Sequence, residues 1–160
     1  MGSLKLLHIG CGGDYREGFI NTDKETHSRQ GREYKLDAVM ELSKTWEFED
    51  NSIDGITSMG VLQQLHWREL VIAFRESFRV LKPGGVMRMG VTALEMGKPI
   101  DYILGWNNVN VFSFDLLESV LRDHIGYSEV MRCDFQETSI PEFADIDNKP
   151  EQLIYIEAKK

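Results

Sequence analysis

The chain opens on an apolar run, Leu4 to Ile9 (LKLLHI), that stops abruptly at Gly10-Cys11-Gly12-Gly13. That is the pattern of a buried strand entering a tight turn. Six more short apolar or alternating segments follow, at 18–22 (GFINT), 37–42 (DAVMEL), 53–59 (IDGITSM), 85–91 (GVMRMGV), 127–134 (YSEVMRCD) and 152–158 (QLIYIEA). The pattern therefore predicts seven strands. Two stretches instead repeat at three and four residues. Trp67, Leu70, Val71, Phe74, Phe78 and Leu81 form one apolar stripe, ended by Lys82-Pro83-Gly84-Gly85, and predict a helix. A second helix is expected from Ser113, a good N-cap, with Asp115 in its first turn, through Leu117, Val120 and Leu121 to Gly126. Strands alternating with helices predict an α/β sheet with parallel crossovers.

The early connections break this regularity. About nine residues separate the first two strands, fewer than the dozen or so of a helical crossover. The next two connections, DKETHSRQGREYKL and SKTWEFEDN, are polar and carry no apolar stripe of helical period, so both are expected to be loops. Residues 93–112 fit neither pattern, although Pro99 to Gly105 has room for one helical turn or two. Tyr102 and Trp106 stand at i and i+4 there, a spacing that more often marks core packing than a substrate face. The loops after the fourth and fifth strands must build any pocket of a chain this short, so 93–112 is the expected substrate lid.

Composition narrows the class. A length of 160 residues fits one domain, 1–160. Hydrophobic residues at 42% and charged residues at 28% describe an ordinary globule and exclude disordered and disulfide-scaffold readings. The 18 Lys plus Arg against 26 Asp plus Glu leave a net charge of −8, which argues against a nucleic-acid partner. No apolar run approaches the ~20 residues of a membrane span. The start shows no cleavable signal pattern, so a cytoplasmic location is expected. Cys11 and Cys133 are isolated, and His27 and His124 have nothing at ligand spacing. No metal site is expected, and both histidines read as surface residues.

Candidate chemistry begins at the glycine cluster, where bare backbone can turn sharply and approach a ligand. As a dinucleotide fingerprint it fails, because Tyr15 stands where the third glycine should close helix against strand. That argues against a nicotinamide dehydrogenase. Asp23 ends the second strand, where a carboxylate can accept both hydroxyls of a ribose or simply be solvated. Taken in order, LHIGCGG, FINTD, DAVMEL, FEDNSIDGI and FRVLKPGG resemble the class I S-adenosylmethionine-dependent methyltransferases, and within them a short branch. The resemblance covers nearly the whole chain and is weakest over 93–112.

The resemblance implies a Rossmann-like, seven-stranded, mostly parallel sheet with reduced helices around the first three strands, and S-adenosylmethionine as cofactor. It places Gly10 and Gly12 under the amino-acid end of the cofactor, with His8 and Cys11 beside them, and Asp23 on the ribose. Glu41 and Leu42 would meet the adenine, and Ser58, Met59 and Gly60 would lie near the sulfonium. Many relatives carry an acid at the His8 position, although the short branch often has histidine. A heavier departure is Gly60-Val61-Leu62-Gln63-Gln64-Leu65, where the branch reads H-V-L-E-H-L. Two imidazoles and a carboxylate are lost there. The adjacent His66 is the candidate catalytic base, although a histidine at a helix start is more often a surface or capping residue.

The implied function is methyl transfer to a small or medium acceptor, with a sugar hydroxyl as the default because relatives of the branch are associated with glycan pathways. The alternative is a binding or assembly protein that keeps the cofactor but has lost turnover at Gln63 and Gln64. In the fold that the chain resembles, helices around the first three strands cover one face of the sheet, and here none is visible. The strands 86–91 and 128–133 are interrupted by Arg88, Glu129 and Arg132, which suggests partial exposure. That face is expected to bury itself in a homodimer, or else beneath the early loops folding back.

Overall fold

Each apolar segment becomes a strand in the computed structural model, which describes residues 3–105, 107–147 and 150–160. The strands are β1 (Leu6–Ile9), β2 (Phe19–Asp23), β3 (Ala38–Val39), β4 (Ile53–Met59), β5 (Leu81–Val91), β6 (Glu129–Cys133) and β7 (Ile154–Lys159). They form one sheet in the order β3-β2-β1-β4-β5-β7-β6. Pairing is parallel from β3 through to β5, and β7 runs antiparallel to both its neighbours. This is the Rossmann-like arrangement expected, with β3 reduced to two exposed residues.

Helices form where the stripe predicts them: α1 (Trp67–Val80), the single turn α2 (Ile100–Ile103) and α3 (Phe114–Ser119). The Ser113 Oγ accepts from the Leu116 N–H at 3.2 Å, as an N-cap should. Beyond α3 the chain widens into a π turn over Val120–Ile125 and stops at Gly126, whose φ of 110° is left-handed. Tyr102 lies in α2 and is exposed, while Trp106, and with it their expected pairing, lies outside the described residues.

The two faces of the sheet are built differently. Leu7, Ile9, Ile56, Met87, Met89, Val91, Ile156 and Ala158 share one face through the strand register. All are buried in one cluster with Leu70, Ala73, Phe74 and Val80 of α1 and with Leu117, Val120 and Leu121 of the last helical stretch. The other face carries Leu6, His8, Asn21, Gly55, Thr57, Arg88 and Glu157. The nine-residue link between β1 and β2 and the two connections that follow hold no helix.

What covers this second face corrects the expectation. It is neither the early loops nor an open patch awaiting a second copy, but the connection between β6 and β7. A 3-10 turn over Pro141–Ile146 lays Phe143 and Ile146 onto it, both fully buried. A Cβ on Gly55 would stand 2.6 Å from Ile140 Cδ1 and 2.7 Å from Phe143 Cζ, so glycine is required for the turn to dock. Arg88, whose charge suggested exposure, is 0% exposed. Its guanidinium donates to Asp147 at 2.9 and 2.6 Å, to Glu157 at 3.1 Å and to the carbonyls of Glu137 and Asp134. Burial opposes the Arg88 charge, and the Asp147 carboxylate more than restores it, leaving the guanidinium's pKa raised. The inward charge is the anchor of the strap that replaces the missing helices, so the stated ground for a homodimer is absent over β1, β4 and β5.

Candidate cofactor site

Strand order reverses between β1 and β4, and ligands of open α/β sheets bind outside the carboxyl ends of strands at such a point. A cavity of about 900 Å³ opens there. Gly10, Gly12, Asp23, Met40, Glu41 and Leu42 line it from the ends of β1, β2 and β3. Val61, Gln64, Leu65, His66 and Glu69 line it from the segment after β4 and the start of α1.

The glycine turn is sterically obligatory. Gly10 has φ of 65°, and a Cβ there would stand 2.5 Å from Val61 Cγ2. Gly12, with φ of 53°, has only open space above its missing Cβ, so the cavity floor is bare backbone. Cys11 between them is buried, its N–H donating to the Thr22 carbonyl at 3.0 Å. Burial, with Asp23 nearby, pushes its thiol up to about 11, so it stays protonated.

Asp23 is held by two backbone amides. Gly12 N–H donates to its Oδ2 at 2.8 Å and Glu25 N–H to its Oδ1 at 2.9 Å. Each oxygen keeps a further acceptor position, the arrangement needed to take two hydroxyl donors. Glu41 is reached by Lys44 Nζ at 2.6 Å and by Ser43 Oγ at 2.9 Å, and these two neighbours hold its pKa below the usual carboxylate range. Met40 and Leu42, both buried, flank it with apolar surface.

A flap over residues 26–34 forms the outer wall. Ser28 N–H donates to the Arg32 carbonyl at 2.7 Å, Gly31 N–H to Ser28 at 2.9 Å and Tyr34 N–H to Thr26 at 2.9 Å. The Tyr34 ring lies 3.6 Å from where a Gly13 Cβ would be, so the flap rests on the glycine turn. Asp37 anchors the returning arm, accepting from the Asn21 N–H at 2.8 Å and from Tyr15 OH at 3.1 Å.

On the β4 side the structure redistributes the expected residues. His8, Cys11, Ser58, Met59 and Gly60 are not in the cavity wall. His8 points to the strap-covered face and stacks edge-on against Phe19. Ser58 is wholly buried with an unpartnered Oγ, and the Met59 sulfur occupies the space that a Cβ on Gly90 would need. Gly60 turns the chain with φ of 73°, its N–H bonded to Gly90 O at 2.9 Å. The next residues do line the cavity. Gln64 donates to the Gly60 carbonyl at 2.9 Å, the His66 N–H is capped by Glu69 at 2.8 Å, and His66 itself lines the wall. Gln63 is buried; its main-chain carbonyl accepts from Val109 and Asn110 and so docks the segment 107–110, of which Asn107 reaches the cavity.

Sequence reasoning missed the flap. His27, which reads as a surface residue, lines the cavity with Ser28, Arg29 and Tyr34. Only Gly31, with φ of 78°, carried a local signal, that of a turn. Among the described residues no group of three or more His, Cys, Asp or Glu side chains could hold a metal ion.

Residues 5–89 match the family model described as "Methyltransferase domain". The chain belongs to that family. A sterol 24-C-methyltransferase of Aspergillus fumigatus is 33% identical over 101 residues, covering 52% of this chain and 26% of that protein. The chain thus spans about a quarter of that curated relative's length. A SAM-dependent methyltransferase from Archaeoglobus fulgidus superposes with a TM-score of 0.66 at 14% identity, covering 99% of this chain and 87% of that one. The complex of the Haloferax volcanii Trm112 activator with a methyltransferase gives 0.64 at 14% identity, covering 98% and 82%.

The motif resemblance implies S-adenosylmethionine as the cofactor, and the cavity's lining suits it chemically. About 900 Å³ lies within the usual range for such ligands. Bare backbone at Gly12 leaves room for a chain of atoms, Asp23 offers acceptors to a diol, and Met40 and Leu42 offer apolar contact to a flat base beside the Glu41 carboxylate.

Proposed function

We propose that the chain binds S-adenosylmethionine in this cavity and transfers its methyl group to a small or medium acceptor. Asp23 carries the reading: a carboxylate at the end of β2, fixed by Gly12 and Glu25 amides, with acceptor capacity left facing the cavity. Gly10 and Gly12 support the amino-acid end, and Glu41 and Leu42 flank the adenine. Ser58, Met59 and Gly60 shape the turn behind the sulfonium position, and His8 and Cys11 back the floor from outside the wall. S-adenosylmethionine supplies an electrophilic methyl on a sulfonium. The protein's share is to hold the acceptor in line and, for a hydroxyl, to remove its proton. His66 is the base in this reading, since it lines the wall beside the segment after β4, with its main-chain N–H capped by Glu69.

The acceptor enters between this wall and the segment 93–112, which serves as the lid. A sugar hydroxyl is the proposed acceptor. The fungal relative is named for a sterol acceptor, so sterols belong in the same screen. The departure at Gln63 does not by itself argue for lost turnover, because that side chain is buried and its carbonyl holds the lid.

Titration calorimetry tests the reading. Asp23→Ala should weaken S-adenosylmethionine binding by roughly 10- to 100-fold, the equivalent of about 1.5 to 3 kcal/mol for hydrogen bonds to a charged group, with an unchanged circular dichroism spectrum. An unchanged Kd in the folded variant removes Asp23 from the site. Tight cofactor binding with no product from sugar, lipid or sterol acceptors would favour the binding-only alternative.

A further inference from the structure

The cavity wall holds four carboxylates, Asp23, Glu25, Glu41 and Glu69, against two full cations, Lys24 and Arg29. Most of these charges already have partners. Asp23 and Glu69 accept main-chain N–H groups, Glu41 is paired with Lys44, and Lys24 lies 3.9 Å from Glu25. Arg29 makes no hydrogen bond or ion pair among the described residues. It stands at the tip of the flap, in the turn that Gly31 N–H closes onto Ser28. The flap is propped by Tyr34 on Gly13, so the tip shares the cavity with the Gly10 and Gly12 backbone.

A ligand with both cationic and anionic groups sorts itself in such a field. The sulfonium and ammonium of S-adenosylmethionine suit a wall of carboxylates, while its one carboxylate is repelled by that wall unless it meets a cation. A guanidinium offers a carboxylate two parallel donors. We propose that Arg29 receives the methionyl carboxylate of the cofactor, with Tyr34 as the positioning residue that holds the flap against the glycine turn. The flap thereby supplies from the β2–β3 connection a guanidinium with no partner among the described residues, whereas the wall's other full cation, Lys24, stands 3.9 Å from Glu25. This rests on the reading that the cavity takes S-adenosylmethionine.

The test separates the ends of the ligand. Kd values are measured by calorimetry for S-adenosylmethionine, S-adenosylhomocysteine and 5′-methylthioadenosine, which keeps the adenosine and the sulfur but lacks the amino acid. Arg29→Ala should weaken the first two by about tenfold, in the range of a charge-assisted hydrogen bond at a partly solvated site, and leave the third within twofold. Arg29→Lys should recover part of the loss, because a point charge replaces the fork. Equal weakening of all three ligands would show Arg29 on the adenosine or the flap generally disturbed, and would overturn the inference. No weakening of any would overturn it as well. Failure of the unaltered protein to bind any of the three would instead overturn the cofactor reading itself, and the inference with it.

Discussion

His8 and Arg88 lie in one row of the strap-covered face, with Thr57 between them, and burial has opposite consequences for the two. Arg88 keeps its charge because Asp147 and Glu157 meet it. His8 meets no equivalent partner, its Nδ1 is unpartnered, and burial lowers its pKa from the ordinary 6.5. The folded chain therefore refuses a proton that the unfolded chain accepts once pH falls below that value. Stability should drop as pH falls from 6.5 toward the depressed folded value, and be insensitive to His8 above it. Urea unfolding at about pH 7.5 and about pH 5.5 checks this: His8→Gln should lose less stability between the two than the parent chain. An identical loss in both would remove His8 as the source.

The elements show how a chain with few helices still fixes its loops. Asn21, fully buried in β2, donates through its side chain to Arg16 O and accepts from Arg16 N–H, pinning the short link from β1. Arg79 at the end of α1 reaches the carbonyls of Trp46 and Phe48 and the carboxylates of Asp50 and Glu76, tying down the connection after β3. Leu81 already pairs with Ile53, and the register then shifts before Gly55 meets Val86, so Lys82 to Gly85 bulge out of the ladder. The sequence reads those four residues as the stop between helix and strand, and the structure runs β5 through them. A Cβ on Gly85 would stand 2.9 Å from Lys82 O and 3.0 Å from Asp54 O, both backbone atoms. Gly85→Ala should therefore cost about 1 to 3 kcal/mol in chemical unfolding, as overpacking does. A cost below a few tenths would show that the bulge relaxes freely.

At the scale of the molecule, stability on the second face depends on one ion network. Asp147 is joined to Arg88 in a wholly buried pair, and Glu157 accepts from Arg88, Thr138 and Ser139. Removing one partner leaves a buried charge uncompensated, so Asp147→Ala should lose about 3 to 5 kcal/mol. Its first symptom should be faster proteolytic cleavage within 134–147 than in the parent chain, because that segment is what the pair holds. Cleavage unchanged there would place the anchor elsewhere, in Phe143 and Ile146.

Local pattern alone determined the strands, both long helices, the Ser113 cap and the glycine turn, because each depends on neighbours within a few residues. Motif order along the chain likewise led to the family and to Asp23, Glu41 and Leu42, which the fold gathers around one cavity. Tertiary structure decided the rest. A polar tract such as 24–37 has no periodicity to read, and only its docking on Gly13 brings Arg29 and Tyr34 into the wall. Whether a charge within a strand faces water or a partner depends on residues far along the chain. Arg88 finds Asp147 59 positions away, and nothing near it in the sequence announces that meeting.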